Sequence, residues 1–236
     1  MIYECSGLPG SGKSTLVEEL SNQLRKDNKK VKQIGTDSFW AVKNNNKIMK
    51  TIIKVGRILQ PLKPTNWKFS LICMQFFFKR TKPANVFSSY SSNYETFIAV
   101  LYCIYLFDEY RRSDDVIVSD EGLLQALTSL SLKSDSGLEE IINLVHMKQY
   151  IKTTSLQIYC KLSIDETINR LKLRNRTTSN FDQISGTNLS RYLEQHKSRL
   201  EFLITEDTFS KKIEVDMNEP TENVVQYILK KGGKIV

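Results

Sequence analysis

Along the 236 residues the apolar positions switch repeatedly between short strand-like runs and helical spacing. Ile2–Ser6 is β-branched and aromatic and predicts a first strand, followed by a turn over Gly7–Gly12. Leu16, Val17, Leu20 and Leu24 recur at helical spacing, so a helix is expected from Lys13 to about Asn28. Val31–Gly35 predicts a second strand that ends at Thr36 and Asp37. Ala41–Leu59 predicts a helix with Ile48, Ile52, Val55 and Leu59 on one side, broken by Pro61 and Pro64. Trp67–Lys79 reads as a further helix, Ser88–Asn93 as a loop and Tyr94–Arg111 as a strongly apolar helix. Val116–Ser119 predicts a third strand before Asp120-Glu121-Gly122, and helices are expected over Leu123–Leu132 and Leu138–Ile151. A fourth strand, Leu156–Lys161, precedes a helix over Asp165–Leu173 that Ser163 can cap, with Glu166 at the capping-box position. A polar stretch, a long helix over Thr187–Thr205, a strand Lys212–Val215 and a helix Thr221–Lys231 complete the chain. Five strands alternating with helices predict a parallel sheet covered on both faces. A single domain is expected over residues 1–236, with a helical insert at about 38–94 and a lid at about 170–186.

Composition changes this picture in two places. Cys5, Cys73, Cys103 and Cys160 are scattered in apolar surroundings, with no Cys-x-x-Cys pair and no histidine at metal-binding spacing, so four buried thiols are expected. No apolar run approaches the ~20 residues of a membrane span, and no leader pattern is seen, which points to the cytoplasm. The charge is uneven. Residues 38–94 contain no Asp or Glu but ten basic residues, so the segment carries +10 against +8 for the whole chain. A partner of opposite sign is the direct implication.

The clearest chemistry is Gly7-Leu8-Pro9-Gly10-Ser11-Gly12-Lys13-Ser14, followed by Thr15, between a strand and a helix. Glycines let successive N–H groups turn inward on a phosphate chain, and the helix adds the positive end of its dipole. In such a loop Lys13 reaches the terminal phosphates of ATP and the Ser14 hydroxyl ligates Mg2+. Asp120, beyond the third strand, is placed to orient the metal. Asp37, beyond the second, could accept a proton from an attacking hydroxyl, and Glu121 is its rival for that role. Arg170, Arg174 and Arg176, with Lys172 among them, can fold over a triphosphate and neutralise its developing charge.

Taken together, these pieces resemble the P-loop kinases of the nucleoside monophosphate, thymidylate and deoxynucleoside kinase group. Gly7–Thr15 looks like the family loop, Asp120 like the acid opening a D-R-Y element, and Asp165, Arg170, Arg174 and Arg176 like its helix-and-lid pattern. Asp216-Met217-Asn218-Glu219-Pro220 is similar to the segment that packs near adenine. The resemblance implies a five-stranded parallel sheet of order 2-3-1-4-5 and Mg-ATP as phosphoryl donor. Two departures lie on the acceptor side. Glu121 stands where the family has an arginine, and Asp37 is more like the acids of shikimate, gluconate, adenylylsulfate and zeta-toxin kinases.

The insert also carries Phe39, Trp40, Trp67, Phe69, Phe76, Phe77, Phe78, Phe87, Tyr90 and Tyr94. It can serve as a pocket for an anionic or sugar-containing small acceptor, as a face for an anionic membrane surface, as a nucleic-acid surface, or as a lid with solvated lysines. Nucleic acid is the least favoured of these partners, and a homodimer is left open. The expected function is transfer of the γ-phosphoryl of ATP to a hydroxyl or phosphate of a small molecule. A nucleoside monophosphate kinase and a regulatory ATPase that engages a polyanion are the alternatives.

Overall fold

In the computed structural model, residues 1–35, 39, 47–80, 90–132, 155–173, 187–205 and 211–232 are described. The expected helix at 138–151, Asp37, Arg174, Arg176 and the remainder of the lid lie outside the described residues. The order is β1 (Ile2–Gly7), α1 (Lys13–Lys26), β2 (Val31–Ile34), α2 (Lys47–Ile58), two short 3-10 turns (Gln60–Leu62 and Pro64–Asn66), α3 (Trp67–Arg80), α4 (Tyr90–Arg112), β3 (Val116–Ser119), α5 (Leu123–Leu132), β4 (Ser155–Lys161), α6 (Ile164–Leu173), α7 (Thr187–Thr205), β5 (Lys212–Asp216) and α8 (Thr221–Gly232).

All pairings are parallel and the strands run in the order β2-β3-β1-β4-β5. Side chains alternate between faces, and each face has its own core. Tyr3, Cys5, Val118, Leu156, Ile158, Ile213 and Val215 pack with Leu16, Leu20 and Leu24 of α1 and Val224 and Ile228 of α8. On the other face Ile2, Ile34, Ile117 and Tyr159 meet α4, α5 and the end of α7. The central run of α4, Val100–Phe107, is buried on every side, which explains an apolar stretch without helical amphipathy. Among the described residues no helix is long and apolar enough to cross a membrane. The four cysteines are free and buried, and burial pushes the Cys73 and Cys103 thiols up, leaving them as core residues.

Two expectations need correction. The chain is already helical at Tyr90, within the stretch expected to be a loop, because α4 extends a turn further towards its N-terminus. Glu166 does not complete a capping box. Ser163 Oγ accepts from the Glu166 N–H at 3.2 Å, but the Glu166 carboxylate turns to Arg170 Nε at 2.9 Å. The helix expected over the first part of the insert is present as α2, and none of its residues is buried.

The face beneath α4 and α5 holds a buried polar row. Glu4 pairs in register with Ser119 on β3 and Gln157 on β4, and all three are fully enclosed. Glu4 has a structural task there. Its Oε1 accepts the N–H of Leu124 at 2.5 Å, so a carboxylate from β1 satisfies a first-turn donor of α5. Gly122 makes this approach feasible, since a Cβ there would lie 1.7 Å from Glu4 Cγ. Gly122→Ala is therefore expected to lower unfolding free energy by at least about 2 kcal/mol in denaturant titrations. With Glu4→Ala the loss should fall short of the sum of the two single variants; an additive pair would contradict the clash.

Candidate active site

The parallel register brings the ends of β1, β3 and β4 together, and the loop after β1 lies at that edge. Gly10 and Gly12 take φ values of 86° and 87°, in the left-handed region that favours glycine. Gly7 is required for a different reason, since a Cβ there would stand 2.7 Å from the Cys160 carbonyl oxygen on β4. Ser11 closes the turn with its N–H on the Leu8 carbonyl at 3.1 Å, and its side chain is fully buried. Pro9 is half-buried beside it, and Thr15 points outward from the first turn of α1.

Lys13 is buried. Its Nζ donates to the carbonyls of Gly7 at 2.9 Å and Leu8 at 2.7 Å, so the cation is held across the loop. Burial lowers its pKa, while the nearby Glu121 and Asp120 carboxylates act in the opposite direction. Ser14 Oγ donates to Asp120 Oδ2 at 2.9 Å. That contact brings together the two residues expected to serve the metal. Two oxygen donors, one of them a carboxylate, at the mouth of a phosphate loop suit a hard divalent cation such as Mg2+. Among the described residues no group of three or more His, Cys, Asp or Glu side chains is placed to hold a metal ion. Gly35, at the end of β2, completes the fit, because a Cβ there would meet Asp120 Oδ1 at 2.5 Å.

Arg170 is brought to the loop from α6. Its Nε donates to Glu166, its Nη2 donates to the Met217 carbonyl at 3.1 Å, and the guanidinium lies beside Gly12. The loop after β5 is thus tied to the P-loop, with Met217 buried against Gly12.

A cavity of about 330 Å³ opens beside Lys13. Its walls are mainly apolar and aromatic, formed by Pro9, Phe39, Ile98, Ala99, Tyr102 and Ala126, with Glu95, Glu121, Gln125 and His196 as polar groups. Phe39 is wedged between Tyr102 and Tyr105, with ring centroids at 5.8 Å and 5.4 Å. Lys13 is the one cation in this lining among the described residues. Lys47, Lys50, Lys54, Arg57, Lys63 and Lys68 of the insert lie outside it.

Gln125 and His196 were not foreseen, since a Gln within an apolar helix and a lone His carry no spacing signal. Gln125 Oε1 accepts the Gly7 N–H at 3.1 Å, which fixes the amide so that its Nε2 donates to His196 Nε2 at 2.9 Å. The ring proton is thereby assigned to Nδ1, which is buried and has no hydrogen-bond partner among the described residues. Burial, aided by Lys13 and Arg199, lowers the His196 pKa from 6.5 to about 3.

The sign follows. The unfolded chain takes up this proton near pH 6.5, whereas the folded chain holds the ring neutral to about pH 3. The stabilisation is complete above pH 6.5 and is lost as pH falls towards 3. Between pH 7.5 and pH 5 the loss from this group is expected to be roughly 2 kcal/mol in denaturant titrations. His196→Gln should remove that increment, and an unchanged pH dependence would refute the assignment.

No protein-family model and no curated protein sequence matches the chain. Solved structures do. Deoxyadenosine kinase from M. mycoides with bound dATP is 15% identical at a TM-score of 0.55, with 99% of each chain covered. The same enzyme with the products dCMP and a flexible dCDP is 14% identical at a TM-score of 0.53, with 100% of each chain covered. What the chain shares with them is the fold: a P-loop kinase architecture with a five-stranded parallel sheet in the order 2-3-1-4-5.

Proposed function

We propose that the protein is an ATP-dependent kinase that phosphorylates a hydroxyl of an uncharged, nucleoside-like small molecule held in the cavity beside Lys13. One observation carries this reading: Lys13 belongs both to the phosphate loop and to the cavity wall, so donor and acceptor sites meet at one ammonium group. The fold shared with a deoxyadenosine kinase supports the acceptor class. The cavity lining supports it too. Aromatic and aliphatic walls with a few polar groups suit a planar base and a sugar. Among the described residues the lining offers no cation besides Lys13 for a phosphate already on the acceptor, which weighs against the monophosphate reading.

In the proposed reaction the acceptor oxygen attacks the γ-phosphorus of ATP, and the bond to the bridging β–γ oxygen breaks to release ADP. The hydroxyl proton passes to a carboxylate. Glu121, which lines the cavity, is favoured over Asp37 for that role. Lys13 and the loop N–H groups hold the phosphate chain, and Arg170 adds charge from α6. Ser14 and Asp120 would hold Mg2+, which when bound neutralises the phosphate oxygens. Arg174 and Arg176 are proposed to complete the lid.

The test is transfer from γ-labelled ATP to a panel of nucleosides and of nucleoside monophosphates. Label is expected on a nucleoside, with kcat/KM lower by at least about 10³ in Lys13→Ala. Glu121→Gln should lower kcat by about 10² or more with little change in KM, and Asp37→Asn should cost less. Transfer confined to monophosphates, or hydrolysis without transfer, would overturn the proposal.

A further inference from the structure

Helix α2 is amphipathic, yet its apolar side does not face the protein. Of its residues only Ile53 and Arg57, four apart, are half-buried; the others are exposed. Arg57 pins the helix, donating to the Phe39 carbonyl at 2.5 Å and lying 5.1 Å from the Tyr105 ring centroid. Away from that seam, Met49, Ile52, Val55, Ile58 and Leu59 are between 41% and 58% exposed, and Leu62 in the following turn is 69% exposed. At 3.6 residues per turn Met49, Ile52, Val55 and Leu59 fall on one arc, while Lys47, Lys50 and Lys54 fall on another. The lysines are also exposed.

We infer that this face docks the protein on an anionic lipid bilayer, with the helix lying in the membrane plane. The inference does not rest on phosphoryl transfer. It rests on two features that one occupant must satisfy together, an exposed aliphatic arc and a purely basic flank. A bilayer surface bearing anionic headgroups offers apolar depth below and negative charge at the rim. Long lysine side chains can reach the headgroups while their stems stay apolar. The surroundings add to the fit, because residues 38–94 contain no acid that would be repelled.

Other occupants fit less well. A second copy would bring one lysine flank against another. Nucleic acid would use the lysines but has no place for the aliphatic arc. A protein groove is usually anchored by buried aromatic or arginine side chains, whereas this arc is aliphatic and its flank is lysine.

The experiment is co-sedimentation with vesicles of phosphatidylcholine alone and of phosphatidylcholine with one-third phosphatidylglycerol, at low and high salt. Binding is expected to the anionic vesicles only, weakening with salt. Lys50→Ala and Lys54→Ala should each lower the partition coefficient about fivefold. Ile52→Glu/Leu59→Glu should abolish binding while the thermal unfolding midpoint stays within a few degrees. The lysine variants and the salt series keep the test decisive should the double variant fail to fold. Equal binding to neutral and anionic vesicles, or no binding to either, would overturn the inference. So would a dimer in solution that Ile52→Glu/Leu59→Glu dissolves in the absence of vesicle binding, or retention by nucleic acid but not by vesicles.

Discussion

The hydrogen bond from Ser14 Oγ to Asp120 Oδ2 joins the first turn of α1 to the tip of β3, and the architecture of the site depends on that junction. It forms only because β1 and β3 are parallel neighbours, with Ile2 opposite Ile117 and Glu4 opposite Ser119. The same register aligns β4 with β1 up to Gly7 and Cys160, which sets the floor of the phosphate loop. Gly35 then leaves the space that the Asp120 carboxylate fills. A shift of one residue in the β1–β3 pairing would send the intervening side chains to the opposite face and separate the two oxygen donors.

The sheet side of this arrangement is rich in enclosed polar groups, and these oppose stability. Lys13 is buried against main-chain carbonyls, Glu4 lies at the centre of the sheet, and the His196 N–H has no partner among the described residues. Each costs free energy that a hydrocarbon side chain would not. Each also holds a part of the site. Lys13 spans the loop, Glu4 fixes the start of α5, and His196 with Gln125 supports the Gly7 N–H. The large apolar cores on both faces of the sheet offset this cost.

Much of this was legible in the chain because it rests on local rules. The P-loop sits at a strand–helix junction that hydrophobic spacing alone places. The bounds expected for α5 and α7, Leu123–Leu132 and Thr187–Thr205, are those observed. The five strands alternating with helices left few topologies to consider. What could not be read depends on contacts distant in sequence. Gln125 meets Gly7 across 118 positions and His196 across 71, and no spacing rule links them. Gly35 ended the expected second strand and Gly122 followed the third, and only the folded chain shows which carboxylates they admit. The orientation of the helix in the basic insert was not legible either. Its periodicity predicted a helix correctly, but periodicity does not say which side faces the protein, and α2 turns its aliphatic arc outward.

The central claim is that the phosphate loop and the cavity form one continuous site meeting at Lys13. A two-headed ligand, with adenosine joined through a polyphosphate chain to a nucleoside, the proposed acceptor class, tests it most directly by calorimetric titration. The account predicts binding at least about tenfold tighter than ATP, and loss of that gain when Ala99→Trp fills the cavity while ATP affinity is kept. Equal affinity for ATP and the two-headed ligand, unaffected by Ala99→Trp, would contradict it.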